Sequence, residues 1–145
     1  MPTREEVLAS VEMSLRFLEQ LGRGGPRRAD GGIQTTLAYS LGETFVEVEL
    51  DWREQAVFVL VGWCQDGEIP DGYYVDGHGT QVRHHLAAVL EHGEPTDQAA
   101  ARRLDEAVKR SGPEAMIRQI DAFSDVLRAV HPRLPALLPN LPPRR

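Results

Sequence analysis

The sequence predicts an α+β fold in which an N-terminal helix is followed by an antiparallel meander of three or four strands and then by three C-terminal helices packed on the sheet. The prediction rests on two changes of period. Apolar residues recur at helical spacing before residues 22–32, alternate in steps of two between residues 33 and 52, and return to helical spacing after Thr80. A chain of 145 residues can bury a sizeable core without disulfides or metal. We therefore expect one α+β domain over residues 1–131 and a proline- and leucine-rich tail over residues 132–145.

The first helix is predicted over residues 3–20. Thr3 and Glu6 have the spacing of a capping box, and apolar residues then recur on one side. Gly22 is placed to end this helix. Residues 22–32 hold five glycines, a proline and three arginines, which is typical of a mobile loop, so we expect a flexible connector there.

Three strands are predicted between residues 33 and 63. Residues 33–40 alternate in character, residues 45–52 alternate between apolar and acidic, and residues 56–63 are apolar throughout, as in a strand covered on both faces. The last two strands form a hairpin at the centre of the sheet, and the apolar positions of its first strand face the core. Residues 73–75 lie between two Asp-Gly turns and are a candidate fourth strand.

Three helices are predicted after the strands, over residues 80–93, 96–110 and 113–130. Thr80 and Thr96 can cap the first two, and Pro113 suits the first turn of the third. Val108 is expected to face inward from the second helix. The leucines of the tail are expected to pack on the body of the protein.

The charge distribution argues against nucleic-acid binding. The chain carries a formal net charge of −6, whereas binding to a phosphate backbone depends on Lys and Arg. Residues 43–76 contain nine acids and a single base, Arg53, a net of −8, so the rest of the chain carries +2. The sheet is therefore expected to be the acidic part of the molecule.

Several features favour a cytoplasmic location. No apolar run approaches the roughly 18 residues of a membrane span, and the N-terminus lacks the basic flank and apolar stretch of a secretory signal. Cys64 is the single cysteine and cannot form an intramolecular disulfide. Nearly all of the basic residues are Arg, which fits a GC-rich bacterial genome. We expect a cytoplasmic bacterial protein that does not associate with membranes.

A row of acids on one strand is the candidate binding site. Glu47, Glu49 and Asp51 lie on the face opposite the apolar residues of their strand, where their charges repel one another. An electropositive partner would offset this repulsion. We therefore predict a protein-binding module whose acidic face receives a basic protein, with Glu54 and Asp71 contributing. A solvated face that only resists aggregation is the competing interpretation. Replacement of the three row residues by Lys is expected to leave the fold intact.

Two other functions remain open. A thiol enzyme could use Cys64 as nucleophile, His78 or His84 as base and Asp76 to orient the base. The histidines lack the spacing of a metal site, because adjacent residues such as His84 and His85 point to different sides of a helix, so we expect no metal and no cofactor. A regulatory domain could instead bind a small ligand among aromatic residues. These residues are Tyr39, Trp52, Trp63, Tyr73 and Tyr74.

The predicted order of elements is similar to that of small bacterial binding proteins such as toxin-neutralising immunity proteins and secretion chaperones. This likeness is architectural and carries over no residues, because fold alone does not imply function. With the acidic row, we expect a binding module, immunity-protein-like or chaperone-like, in preference to an enzyme. The leading hypothesis is therefore a small protein that binds a basic protein partner.

Overall fold

A computed structural model describes residues 1–22, 24–71, 74–75 and 79–139. Five antiparallel strands form one sheet in the order β1-β2-β3-β4-β5, and the prediction of an α+β protein with an antiparallel sheet is confirmed. In chain order the elements are α1 (Arg4–Ser14), α2 (Arg16–Leu21), β1 (Arg27–Asp30), β2 (Gln34–Ser40), β3 (Thr44–Asp51), β4 (Ala56–Trp63), β5 (His84–His85), α3 (Leu86–Glu91), α4 (Pro95–Ala107), α5 (Pro113–Val130), a 3-10 turn (His131–Arg133) and α6 (Leu134–Leu137).

The first predicted helix begins as expected but is interrupted at Leu15. The Thr3 hydroxyl accepts a hydrogen bond from a backbone N–H of the first turn, as the capping motif predicts. At the break, the Leu18 N–H donates to the Leu15 carbonyl. The Ser14 carbonyl instead accepts the hydroxyl of Ser124 on α5 at 2.8 Å. A tertiary hydrogen bond thus takes the carbonyl that would continue the helix, and local spacing does not reveal such a bond.

The core lies between the helices and the sheet face that carries Val46, Val48 and Leu50, all of them buried. The predicted register of β3 is therefore correct. α5 lies across this core with the predicted apolar stripe, and α1 packs beside it. Burial of one such side chain stabilises the fold by about 1.5–3 kcal/mol, which strongly disfavours a register shifted by one residue. The buried residues of the α5 stripe include Met116, Ile120, Phe123, Leu127 and Val130.

An edge strand lies in the glycine-rich segment, contrary to the predicted mobile loop. β1 pairs with β2, and the turn between them is closed by the Gly31 N–H, which donates to the Gln34 carbonyl at 2.7 Å. The Asp30 carboxylate accepts hydrogen bonds from Arg28 and from the Thr35 hydroxyl, both at 3.0 Å. These bonds lower the pKa of Asp30. All four β1 residues are exposed, so the strand has no hydrophobic alternation by which the sequence could reveal it.

The helix predicted over residues 80–93 is wrong in its first half, because α3 begins only at Leu86. His84 and His85 are extended and form β5 at the edge of β4. Val82 precedes them, and its carbonyl approaches β4 so closely that a Cβ on Gly62 would lie 2.2 Å from the oxygen. Because Gly62 has no side chain, the residues that precede β5 in the sequence can lie directly against the sheet.

The two later helices differ from the prediction mainly at the ends of α4. Glu94 is the N-cap of α4 and forms a capping box with Asp97, in place of the expected Thr96 cap. Val108, predicted to face inward, lies beyond the end of α4 and is 44% exposed. α5 occupies its predicted range. Within the described parts of the chain, no helix combines the length and apolarity needed to cross a membrane.

Residues 132–139, the described part of the predicted tail, pack on the body of the protein. Leu134 and Leu138 are buried. The Arg133 guanidinium pairs with the buried carboxylate of Asp97, and the Trp63 indole N–H donates to the Pro139 carbonyl at 3.2 Å. Residues 140–145 lie outside the described residues. The tail leucines that are described thus extend the core in the expected way.

The candidate fourth strand is described only in part, since Tyr73 lies outside the described residues. Val75 forms an isolated bridge with Gln81, and the Val82 N–H donates to the Tyr74 carbonyl at 2.7 Å. Within the described residues, β5 is the element that continues the sheet beyond β4.

Candidate functional site

The sheet face opposite the core carries the predicted acidic row. Antiparallel pairing places Glu47 opposite Leu60 and Glu49 opposite Phe58, and His85 of β5 lies next to Leu60. Directly paired residues of neighbouring strands share a face. These five side chains therefore project from the same side of the sheet, and acidic residues are interspersed there with aromatic and apolar ones.

Glu47 is buried and paired with Arg83, so the prediction that the whole row is exposed is wrong at this position. Glu47 is 6% exposed and Arg83 is 3% exposed. Arg83 Nε lies 3.2 Å from Glu47 Oε1, and Arg83 Nη2 lies 3.2 Å from Glu47 Oε2. The same guanidinium donates to the Pro70 carbonyl at 2.7 Å and lies 5.4 Å from the centroid of the Phe45 ring.

Arg83 reaches Glu47 because the segment between β4 and β5 covers this end of the face. Pro70 and Val82 of that segment are buried together with the ion pair. The paired residues are 36 positions apart in the sequence, so no local pattern connects them. Loss of either partner would leave an uncompensated buried charge. Glu47 therefore has a structural role and is not available as an exposed binding residue.

Glu49, two residues along the same strand, is only partly buried. In the described part of the chain, its carboxylate takes part in no hydrogen bond and no ion pair within 4.0 Å. Burial raises the pKa of Glu49, and the neighbouring Glu47 raises it further, while Arg83 opposes this effect. Glu49 is thus a partly desolvated carboxylate that no counter-ion contacts among the described residues.

Aromatic rings border Glu49. Phe58, directly opposite on β4, is 37% exposed. The ring centroids of Phe58 and His85 are 6.2 Å apart. The ring centroids of His85 and Tyr74 are 5.8 Å apart. The Tyr74 hydroxyl is 3.4 Å from His85 Nε2. Burial raises the pKa of Tyr74, and the negative charges of Glu49 and Glu47 raise it further.

We call Glu49, Phe58, Tyr74 and His85 the acidic–aromatic patch. The sequence predicts Glu49 as a site residue, but it predicts Phe58 only as one more apolar residue of a buried strand. It assigns His85 to a helix and Tyr74 to a different candidate ligand site. Antiparallel pairing and the path of the segment after β4 bring the four together, and no local spacing gives that arrangement.

The remaining acids of the predicted site lie around the patch. Asp51 lies at the end of β3, on the same face as Glu49, and its Oδ1 accepts the N–H of Glu54 at 2.8 Å. Glu54 is exposed in the turn between β3 and β4. Asp71 is exposed in the segment between β4 and β5, next to Pro70. The structure thus places Glu49, Asp51 and Glu54 at one end of the sheet, whereas Asp71 belongs to the segment that covers the other end.

Cys64 occupies a packed position at the end of β4. Its thiol is buried, donates to the Thr44 carbonyl at 3.4 Å and lies 3.8 Å from the Ser40 hydroxyl. Burial raises the pKa of Cys64, which disfavours the thiolate that a nucleophile requires. None of its hydrogen bonds within the described chain involves His84. His78 and Asp76, the other members of the proposed catalytic set, lie outside the described residues.

The four described aromatic residues of the ligand-site hypothesis make separate contacts. Tyr39 is buried in the core and its hydroxyl has no hydrogen-bond partner among the described residues. Trp52 donates to the Thr35 hydroxyl at 2.9 Å and lies under the guanidinium of Arg4. Trp63 contacts the tail, and Tyr74 belongs to the acidic–aromatic patch. Tyr73 lies outside the described residues. The described members thus do not form one ligand site.

Three histidines border a cavity of about 460 Å³ under the tail. They are His84, His85 and His92, and Leu137 and Pro139 line the same space. Burial lowers the pKa of His84. Nowhere in the described ranges do three or more His, Cys, Asp or Glu side chains come together in a way that could hold a metal ion.

Comparison with known proteins gives no match: no family model, no curated protein and no solved structure is significantly similar to this chain.

Proposed function

We propose that this chain is a small cytoplasmic protein-binding module that receives a basic side chain of a protein partner on the acidic–aromatic patch. The observation that supports the proposal is the environment of the Glu49 carboxylate. This carboxylate is partly buried, has a raised pKa and has no hydrogen-bonding or ion-pair partner among the described residues. It lies beside the exposed ring of Phe58.

A carboxylate and aromatic faces together suit a guanidinium group. A bound arginine would give Glu49 charge-assisted hydrogen bonds, which no described residue supplies. Its flat guanidinium could also lie against Phe58 or Tyr74 by cation–π attraction, which lysine does less well. Part of the desolvation of Glu49 has already occurred on folding, so less of it remains to oppose binding.

The surrounding acids would act at longer range. Asp51 and Glu54 lie close to the patch and are not paired with any basic side chain in the described chain. Their charges would attract a basic partner before contact and raise the association rate, an effect that salt weakens. Glu47 would contribute only by keeping the sheet face folded, because its charge is already paired with Arg83.

The proposal can be tested by NMR titration of the isotope-labelled full chain with an acetylated Gly-Arg-Gly amide. The matched ligand is the same peptide with citrulline, which keeps the shape of arginine but removes its charge. We expect saturable shifts of the amides of Glu49, Phe58, Tyr74 and His85 with the arginine peptide only. These shifts should weaken as salt is raised.

Glu49→Gln should abolish these shifts while preserving the rest of the spectrum. Glu91→Gln, which removes an exposed acid at the end of α3, is the control variant and should bind as the wild type does. Equal shifts with the citrulline peptide, or shifts spread over all the acidic surfaces, would contradict the proposed function.

A further inference from the structure

A cleft adjoins the acidic–aromatic patch at the edge of the sheet. It has a volume of about 230 Å³ and lies between β4 and the helices α3, α4 and α5. Phe58 and His85 line it and also belong to the patch, so the two sites share a wall. The deeper lining is apolar and includes Val57, Leu104 and Phe123.

The cleft exists because β5 is short. β5 pairs only with Leu60 and Val61, after which the chain turns into α3. The outer edge of β4 before Leu60 therefore has no strand beside it in the described structure. The Val57 N–H at this edge is satisfied by the side chain of Gln119 at 3.0 Å. Val108, which also lines the cleft, keeps 44% of its surface exposed.

We infer that the partner presents an extended segment in which an apolar side chain fills this cleft and an arginine two positions away binds the patch. The inference rests on the proposed function and specifies its partner. Side chains at positions i and i+2 of an extended chain lie on one side, roughly 6.5 Å apart. Phe58 lines the cleft and pairs directly with Glu49, and the Cβ atoms of such a pair lie about 4.5–5.5 Å apart, so both binding sites are within reach of neighbouring same-side residues of the segment.

Charge complementarity favours a basic segment over a neutral or acidic one. Glu49 lies on the patch side of the shared wall, and Asp105 of α4 lines the cleft on its other side. A peptide that filled the apolar cleft would therefore lie between two carboxylates. Each carboxylate repels an acidic side chain of the peptide and attracts a basic one.

The test is selection of random heptapeptides from a display library on the full chain. Binders to the wild type should carry a basic residue with Leu, Ile, Phe or Met two positions away. Selection on Val108→Asp should keep the basic residue but lose the apolar preference, and selection on Glu49→Gln should lose the basic residue. Met13→Asp, which changes an exposed apolar residue of α1, is the control and should select the same motif as the wild type.

Synthetic peptides measure how much the apolar residue contributes to binding affinity. Replacement of the apolar residue by Ser should weaken binding to the wild type about tenfold, since a large apolar side chain is then no longer buried. The same replacement should change binding to Val108→Asp by less than about twofold. Thermal unfolding of each variant checks that the fold is retained.

The outcomes separate the two proposals. Enrichment of a basic residue without an apolar residue two positions away would overturn the inference and leave the proposed function standing. Binders without a basic residue, or a library that yields no binders, would overturn both. Dimerisation of the wild type that Val108→Asp abolishes would identify a second copy of the chain as the occupant of the cleft and would overturn the inference as well.

Discussion

Glu47 and Glu49 lie on the same sheet face, but their carboxylates have opposite surroundings. At one end the segment between β4 and β5 covers Glu47 and supplies Arg83 and the Pro70 carbonyl to complete an ion-pair network. At the other end Glu49 lies between Thr36 and Phe58 of the neighbouring strands, and within the described residues no counter-ion contacts its carboxylate. Two residues with the same side chain, on the same face of the same strand, therefore have a structural and a candidate binding role respectively.

This contrast indicates how an acidic row should be interpreted. Burial without a counter-ion opposes folding, so an unpaired carboxylate that is partly desolvated requires another explanation than stability. The burial of Glu47, by contrast, is accounted for by its ion pair with Arg83. The position that we propose for partner binding is consequently Glu49, although the row taken as a whole suggested three equivalent residues.

Among single substitutions, the largest effect is expected for Arg83→Ala, which removes the counter-ion of Glu47. The variant should lose about 3–5 kcal/mol of unfolding free energy, because it leaves a buried carboxylate without its partner. Chemical denaturation measures the loss. Arg103→Ala breaks an exposed pair with Asp125 and is the matched control, with an expected loss below about 1 kcal/mol. Equal losses in both variants would remove the distinction between the two ends of the face.

The burial of Glu47 reverses one expectation drawn from the sequence. Replacement of Glu47, Glu49 and Asp51 together by Lys should now unfold the protein, because a lysine at position 47 would be buried against Arg83. The double replacement of Glu49 and Asp51 should leave the fold intact, since neither residue is fully buried. Circular dichroism of the two variants checks this difference, and a folded triple variant would contradict it.

A smaller effect is expected for Cys64→Ala at the covered end of the face. We expect a loss of about 1 kcal/mol, because the thiol packs in the core and donates to the Thr44 carbonyl. Binding of the arginine peptide should be unchanged. Thermal unfolding and the NMR titration measure the two quantities. Loss of binding or of any catalytic activity with unchanged stability would instead assign a functional role to the thiol.

Glu49→Gln should stabilise the protein slightly, and only at neutral pH. Burial raises the pKa of Glu49 in the folded protein above its unfolded value, so ionisation of this group opposes folding. The cost is absent below the unfolded pKa of about 4.3 and complete above the folded pKa. Denaturation at pH 3 and pH 7 should give equal stabilities at the lower pH and a gain below about 1 kcal/mol for the variant at the higher pH. A loss of stability at pH 7 would indicate that the carboxylate has a stabilising partner.

The smallest effect is expected for Tyr39→Phe, which extends the comparison to the core. The Tyr39 hydroxyl is buried and has no hydrogen-bond partner in the described structure, and burial raises the pKa of this phenol. Removal of an unsatisfied hydroxyl should therefore change the unfolding free energy by less than about 0.5 kcal/mol or increase it. A clear loss of stability would indicate a bound water or another partner at this hydroxyl.

The sequence by itself determined the elements whose pattern reflects local burial. Alternation fixed the register of β3, with Val48 inward and Glu49 outward, and helical spacing fixed the range and stripe of α5. Thr3 and the turn that follows it were sufficient to locate the start of α1. In each case the signal lies within a few residues, because one face of the element contacts the core and the other contacts solvent.

Only the tertiary structure decided which acidic residue is paired and which is available. The pairing of Glu47 with Arg83, the position of His85 beside Phe58 and the edge strand β1 all depend on the path of the chain between elements. Such contacts join residues far apart in the sequence and leave no periodic trace. The acidic row is thus encoded locally, whereas its division into a structural and a candidate binding residue follows from where the segment between β4 and β5 places Arg83.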